Sequence, residues 1–549
     1  MKRILSATLA LIMGTSLLVG TALPTAAEPA NPYAPVENGC ITNIKVEKNR
    51  KIASEVSYFT AEVSSRVQGL DNLESIPYKV YGAIGSENTK MFVYSIGSAD
   101  GLDYARATVK DIVKRFEEEN PEWNALVAVN GDFFDIETKK TSSMGEPESA
   151  MIQLGDVYKS FIIPSATGRG LVGTTTDDKL VYYTVGSRYS SLGYGTPLAY
   201  ENAYVLRLYG EDCMSIAAEY PALPDGNPLI SDITVLTQDS APADLSSTTV
   251  FVVKCETYRR SHVGINGSEA GTLGYFIEGD IVESRVGTVN DRPDEGEVYI
   301  ATRSPEQYEQ LKVGAYLKCQ RKPSGEWANV ENAIGFKVQI LAEGTPFIKN
   351  AYCRNNTKGN QAETSALTED LYDYPYCWKH RTAIGFREDG TPVLLVLKKS
   401  HHTGEYKNLG ASYYEIAEQF IALGCTNAFL LDGGGSSTFV IRSGNGQFNT
   451  SFSGEGSDGR AVANAVILAV RDVPVEEPSD DLPTDSNNPA QEPNGDANTP
   501  QGGNTDAPQE NNEQPSNDLF SKLALPVLAV LVAGVCATCL LIKKKKKKK

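Results

Sequence analysis

The sequence predicts an α+β protein: a mixed, largely β core with packed helices, followed by a disordered stalk and one C-terminal transmembrane helix. Three observations carry that reading. Two stretches of helical periodicity each lead into a short apolar strand that ends in a polar, Gly-containing motif. Residues 171–349 are dominated by short β-type runs such as Thr248–Lys254 and Val298–Thr302, separated by Gly and Pro, with no nameable helical period and no internal repeat. Beyond residue 472 the composition turns polar, then apolar, then purely basic.

Taken in chain order, Lys2-Arg3, an apolar run from Ile4 to Leu23, Pro24 and the small residues Ala26-Ala27 have the order of a secretory signal, so residues 1–27 are expected to be a signal peptide. Residues 28–75 are read as an N-terminal extension and 76–472 as the main domain. Within that domain Asp103–Glu119 places Ala105, Val109, Ile112, Val113 and Phe116 on one helical face, and Pro121 stops the helix. Ala125–Val129 then reads as a buried strand delivering Asn130-Gly131-Asp132-Phe133-Phe134. A second unit begins at Ser412, whose spacing to Glu415 fits a capping box, and ends at a Gly424 cap. Ala428–Leu431 is its strand, and Asp432-Gly433-Gly434-Gly435-Ser436-Ser437 is what that strand carries.

Residues 473–518 are Pro, Asn, Gln, Gly, Asp and Glu with almost nothing to bury, which predicts a disordered acidic linker. Residues 519–542 contain the apolar run Leu523–Ile542, about 20 residues and long enough to span a hydrocarbon core. Lys543–Lys549 form a basic tail that the positive-inside rule holds in the cytoplasm. The expectation is a single-pass cell-membrane protein whose folded part is extracellular.

Net charge is −18, and removing Lys2, Arg3 and the seven tail lysines leaves −27. Such a chain lacks the clustered cations that nucleic-acid binding requires, and an anionic substrate would need a local basic patch. Cys536 and Cys539 fall in the apolar span, and the other seven of nine cysteines are too scattered for a disulfide scaffold, although Cys353 and Cys377 flank a loop and are candidates to pair.

The Asp432 motif is the most informative stretch. Its glycines let backbone N–H groups approach a ligand oxygen, and Asp432 sets a carboxylate at the strand end. It is no P-loop, because the Lys is missing and the β-type run Thr438–Ile441 follows. Arg381-Thr382-Ala383-Ile384-Gly385-Phe386 brings an Arg into a strand that returns, after Asp389-Gly390, as Val393–Leu397. Guanidinium is the natural planar partner of a phosphodiester, and a surface salt bridge is the competing account. The amide of Asn130 suits sugar hydroxyls, and Phe133 and Phe134 offer a ring face or core packing. Lys398-Lys399 and His401-His402 make a basic cluster in an acidic chain. Neither a spaced His/Cys set nor an EF-hand loop is present, so no metal site is assigned and no cofactor is called for, with a divalent cation left open.

In this order, Asn-Gly-Asp-Phe-Phe at 130, Arg-Thr-Ala-Ile-Gly at 381 and Leu-Asp-Gly-Gly-Gly-Ser-Ser-Thr at 431 resemble the phosphodiester glycosidase family, the catalytic domain of the uncovering enzyme. The resemblance continues through Arg460–Ala465, including Asn464, and covers about residues 76–472. It departs at Leu430, where the family commonly has Asn, and at Asp132, where it has a small residue. It implies hydrolysis of sugar-1-phosphate phosphodiesters on cell-surface or extracellular glycoconjugates, with Asp432 and Arg381 catalytic. Asn130, Gly131, Phe134, Thr382, Gly433, Gly434, Gly435, Ser436, Ser437 and Asn464 would bind substrate. The rivals are a phosphodiesterase that breaks the P–O bond, and a non-catalytic surface protein that binds glycans or cell-wall polymers.

Overall fold

The computed structural model describes residues 30–34, 39, 41–65, 77–98, 103–136, 144–160, 170–184, 194–209, 216–224, 233–262, 272–346, 379–399 and 410–471. The expected signal peptide, linker, membrane span and basic tail lie outside them, as do Cys353, Cys377, His401 and His402. The described chain is mostly β, with two α-helices among the described residues, Val109–Glu119 and Tyr413–Ala422.

Two sheets face each other across the central core. The first has eight strands in the order Ile41–Ile52, Val56–Ser65, Tyr78–Ile84, Pro392–Lys398, Arg381–Arg387, Cys425–Leu430, Val338–Ala342 and Thr345–Pro346. The second has five, in the order Phe448–Ser453, Thr438–Arg442, Trp123–Asn130, Ala465–Arg471 and Thr89–Tyr94. Ile384, Phe386, Leu394 and Phe429 of the first pack with Val127, Val129, Phe439 and Val466 of the second. Strand side chains alternate in direction, so the opposite faces need separate cover. Helix Tyr413–Ala422 covers the first through Ile416, Ala417 and Phe420. Helix Val109–Glu119 covers the second through Val109, Ile112, Val113 and Phe116. The layers therefore run helix, sheet, sheet, helix. A six-stranded sheet built from segments between 151 and 195 and strand Val330–Phe336, and a seven-stranded sheet from residues 199–324 with its own core, complete the β part.

Both helix-to-strand units form, with one shifted boundary. The first helix begins at Val109 rather than Asp103, capped by Thr108, whose side chain accepts from Asp111 N. Ala107 is held extended by paired backbone bonds to Val462 at 3.0 and 2.8 Å, a long-range contact that outweighs helical periodicity in the residues before it. The second helix has the full capping box: Glu415 N donates to Ser412 Oγ at 3.2 Å and Ser412 N to Glu415 Oε2 at 2.7 Å. Gly424 follows at φ +82°, the left-handed conformation that ends helices and favours glycine. The segment read as an extension contributes two full strands, 41–52 and 56–65, and Ser57–Val63 pairs with Tyr78–Ile84.

Candidate active site

Three strand ends meet between the sheets. The first strand ends in Asn130, the second starts at Arg381, and the third runs past Leu430 into Asp432. Asn130, fully buried, ties them together. Its Nδ2 donates to the Asp432 carbonyl at 2.8 Å, and its Oδ1 accepts from Thr382 Oγ1 at 2.7 Å and Thr438 N at 3.1 Å. Asp432 N donates to Gly131 O at 3.0 Å, and Thr382 Oγ1 lies 3.1 Å from Ser437 Oγ. Asn464, also fully buried, accepts from Asp132 N at 2.8 Å through Oδ1. That oxygen would lie 2.1 Å from a Cβ at Gly131, so only glycine fits there.

These contacts correct part of the sequence reading. Asn130 and Asn464, expected to meet substrate, are enclosed, and their amides bond backbone groups, the Thr382 hydroxyl and the Met151 sulfur, so they position the site. Thr382 and Ser437 are likewise fully buried. Phe134 is a core residue packed with Val109 and Val462 and bridged to Pro147, so its ring serves packing. The glycine loop does not present a row of open N–H groups. Gly433 N donates to Asp432 Oδ1 at 2.8 Å, Gly434 N to His380 O at 2.9 Å, and Ser436 N and Ser437 N close a 3-10 turn over Gly434–Ser436. Gly435 N–H alone among the loop amides donates to no described residue.

Strand register relates the positions of Asp432 and Arg381. Ala383 pairs with Leu430, and Leu431 N donates to Thr382 O at 2.9 Å. Carrying that register one step further puts Arg381 opposite Asp432. Because Thr382 and Leu431 are bonded, the Arg381 and Asp432 positions form a non-hydrogen-bonded pair, the kind whose side chains stand closest. Arg381 is 6% exposed and its guanidinium sits 4.9 Å over the Tyr413 ring. Asp432 keeps a partly exposed edge, while protein surrounds most of its carboxyl group. Burial pushes its pKa up from 3.8 to about 6, against the nearby Ser436 hydroxyl and the hydrogen bond from the Gly433 N–H; Asp132 raises it further and Lys337 lowers it.

Lys337 is the functional candidate that the sequence reading missed. It lies between strands Val330–Phe336 and Val338–Ala342, its backbone N–H donates to Leu430 O at 2.7 Å, and its ammonium is 5.0 Å from the Phe133 ring. A cation interrupting two β runs in so acidic a chain was the available signal. Asp132 is 2% exposed and accepts from Phe133 N at 2.7 Å and Ser149 N at 2.9 Å, so it braces the neighbouring loop. Among the described residues no group of three or more His, Cys, Asp or Glu could hold a metal ion.

On the other face of strand Arg381–Arg387, a cavity of about 550 Å³ opens beside the glycine loop. His380, Lys398 and Lys399 line it together with Tyr81, Thr450 and Phe452. Gly454, on its rim, donates to Ser437 O at 2.7 Å, joining the cavity wall to the Asp432 loop.

A site of this kind, a partly desolvated carboxylate across from an arginine at converging strand ends, suits anionic substrates. Comparison with known proteins gives a partial match. Residues 249–469 match the family model described as phosphodiester glycosidase. The match takes in Arg381, Thr382, Asp432–Ser437 and Asn464, and begins well after the Asn130 motif, so it is narrower than residues 76–472. The SPbeta prophage-derived uncharacterized protein YomE of Bacillus subtilis is 42% identical over 64 residues, which are 12% of this chain and 9% of that one. A solved structure of a hypothetical protein from Synechocystis has a TM-score of 0.39 at 15% identity, covering 78% of this chain and 64% of its own, slightly under two thirds. The catalytic domain of zebrafish N-acetylglucosamine-1-phosphodiester alpha-N-acetylglucosaminidase, auto-inhibited by its pro-peptide, has a TM-score of 0.35 at 11% identity, covering 81% of this chain and 98% of its own.

Proposed function

We propose that this protein hydrolyses sugar-1-phosphate phosphodiesters at the bond between the anomeric carbon and oxygen, on glycoconjugates at the cell surface. What supports the reading is the strand register, Ala383 against Leu430 and Leu431 N donating to Thr382 O, which continued by one residue sets the Arg381 position across from Asp432 where the three motifs converge. Asp432 acts as nucleophile or as base toward water; a pKa of about 6 still leaves it mostly ionised at neutral pH and makes it a better proton acceptor than an ordinary Asp. Arg381, held against Tyr413, is assigned to the phosphate. The departing group is a phosphate monoester, whose second pKa of about 6 makes it a good leaving group. A second, acidic carboxyl is therefore less necessary than in ordinary glycoside hydrolysis. The membrane placement read from Leu523–Ile542 and the lysine tail belongs to the same proposal and puts the domain outside the cell.

The test is hydrolysis of a panel of sugar-1-phosphodiesters by the purified protein in ¹⁸O water. Label in the released sugar supports the reading, and label in phosphate means attack at phosphorus. Binding without product on long incubation means a glycan-binding protein.

A further inference from the structure

The cavity behind the glycine loop has no part in the chemistry assigned above, yet its lining is unusual for this chain. Lys398 and Lys399 both face it, and among the described residues neither ammonium has a carboxylate partner, although the protein carries a net charge of −18. Uncompensated cations in such a chain mark a place where an anion completes the balance. The Lys398 ammonium stands 6.0 Å from the centre of the Phe452 ring, and Phe452 stacks on Tyr81 at 5.2 Å. His380 is fixed edge-on to Phe452, and its Nδ1 accepts from Lys399 N at 3.1 Å, so a neutral ring carries its proton on Nε2. Thr450 Oγ1 is buried in the lining and has no hydrogen-bond partner among the described residues. A buried hydroxyl left in that state costs stability and calls for an explanation. Donors of three kinds thus line one hollow, with an aromatic wall beside them.

We propose that this cavity binds a second phosphate group, carried on the aglycone of the substrate. The placement favours it: His380 immediately precedes strand Arg381–Arg387, with its ring against Phe452 while the Arg381 guanidinium lies over Tyr413. Its carbonyl accepts from Gly434 N at 2.9 Å, so the cavity and Asp432 share the glycine loop as a wall. A substrate reaching over that loop has its scissile phosphodiester at Arg381 and its next phosphate at Lys398 and Lys399. The substrate class is then a sugar phosphodiester whose aglycone bears phosphate, as in a repeating sugar-phosphate or polyol-phosphate polymer, with the Tyr81–Phe452 pair against the intervening carbon skeleton.

This inference rests on the proposed reaction for its substrate, but the binding site is tested without turnover. Inorganic phosphate is titrated calorimetrically into the intact protein, its Lys398→Gln/Lys399→Gln form and its Arg381→Gln form, with near-ultraviolet circular dichroism confirming that each is folded. Phosphate affinity should fall at least about tenfold in the double lysine variant, the loss of charge-assisted contacts, and phosphate should still bind the Arg381→Gln form. Unchanged binding in the lysine variant, or binding abolished by Arg381→Gln alone, overturns the site. In the kinetic arm, a sugar phosphodiester with a phosphorylated aglycone is compared with its dephosphorylated counterpart. The parent should prefer the former at least about tenfold in kcat/KM, and the preference should collapse in the double variant. Phosphate binding without that preference means that free phosphate is the ligand and overturns the aglycone assignment. Binding as expected, with no hydrolysis of any phosphodiester, refutes the proposed reaction and leaves the anion site standing.

Discussion

Replacing Asp432 by Asn should make the protein more stable and nearly inactive, because the same burial that prepares the carboxylate for chemistry opposes its ionisation in the folded state. The folded pKa of about 6 lies roughly two units above the ordinary 3.8. At about 1.4 kcal/mol per unit, holding the ionised group in the site costs about 3 kcal/mol. The sign follows from proton counting. Below pH 4 folded and unfolded chains both carry the proton and there is no cost; between pH 4 and 6 only the unfolded chain ionises, so stability falls as pH rises; above pH 6 the full cost is present. Asn keeps an oxygen for the Gly433 N–H, now 2.8 Å from Oδ1, and has no charge to desolvate. Melting temperatures of parent and variant, measured from pH 4 to 8, should diverge in favour of the variant as pH rises and level off above about 6, while turnover at pH 7 drops at least about a hundredfold. A stability difference independent of pH would show that Asp432 is not a desolvated acid. An Asn variant with most of its turnover would make it a structural turn residue and send the search to Asp135 and Asp132.

Arg381→Lys should lower kcat/KM at least about tenfold despite the conserved charge, since an ammonium offers neither the planar fork nor the same stacking on Tyr413; unchanged kcat and KM would remove this residue from the site. Asn130→Ala strands the Asp432 carbonyl, the Thr382 hydroxyl and the Thr438 N–H, and at about 1 kcal/mol or more apiece should destabilise the protein by about 3 kcal/mol, measurable as a lower denaturation midpoint. External protease on intact cells should release a soluble folded domain by cutting within residues 473–518, whereas a protected domain with a cleaved tail would reverse the orientation.

What could be read from the sequence was what depends on near neighbours. The Ser412 capping box, the Gly424 stop and the strands carrying Asn130 and Asp432 are written in spacings of a few residues, and each is present. The order of the three motifs pointed to one site, and the strand ends that carry them do lie side by side, Asn130 bonding the Asp432 carbonyl and the Thr382 hydroxyl. The roles of Asn130 and Asn464 could not be read this way. Asn130 reaches partners 252 and 308 positions away, and an amide looks the same whether it will face a sugar or a buried carbonyl. The start of the first helix was missed for the same reason, because Val462, far along the chain, holds Ala107 extended. The cavity lysines were visible as a basic pair, but seeing that no described carboxylate pairs with them required the fold.

The charge around Asp432 leads to a last prediction, about proton uptake. In the free protein its pKa balances burial and Asp132, which raise it, against the Ser436 hydroxyl, the Gly433 N–H and Lys337, which lower it. A bound phosphodiester adds a negative charge on the Arg381 side and displaces water from the exposed edge. Both changes disfavour the carboxylate, so the pKa in the complex must lie above about 6. If Asp432 works ionised, kcat/KM, which reports the free protein, should rise with pH through about 6, and kcat, which reports the complex, should rise through a higher value. Binding would then take up protons near neutral pH, detectable as a buffer-dependent binding enthalpy with the Asp432-intact protein and a non-hydrolysable phosphonate analogue. A kcat profile that turns at lower pH than kcat/KM would mean that binding brings Asp432 closer to a cation, with Arg381 leaving Tyr413 to meet the carboxylate instead of the phosphate. The two directions of shift therefore separate an arginine that serves the substrate from one that serves the aspartate.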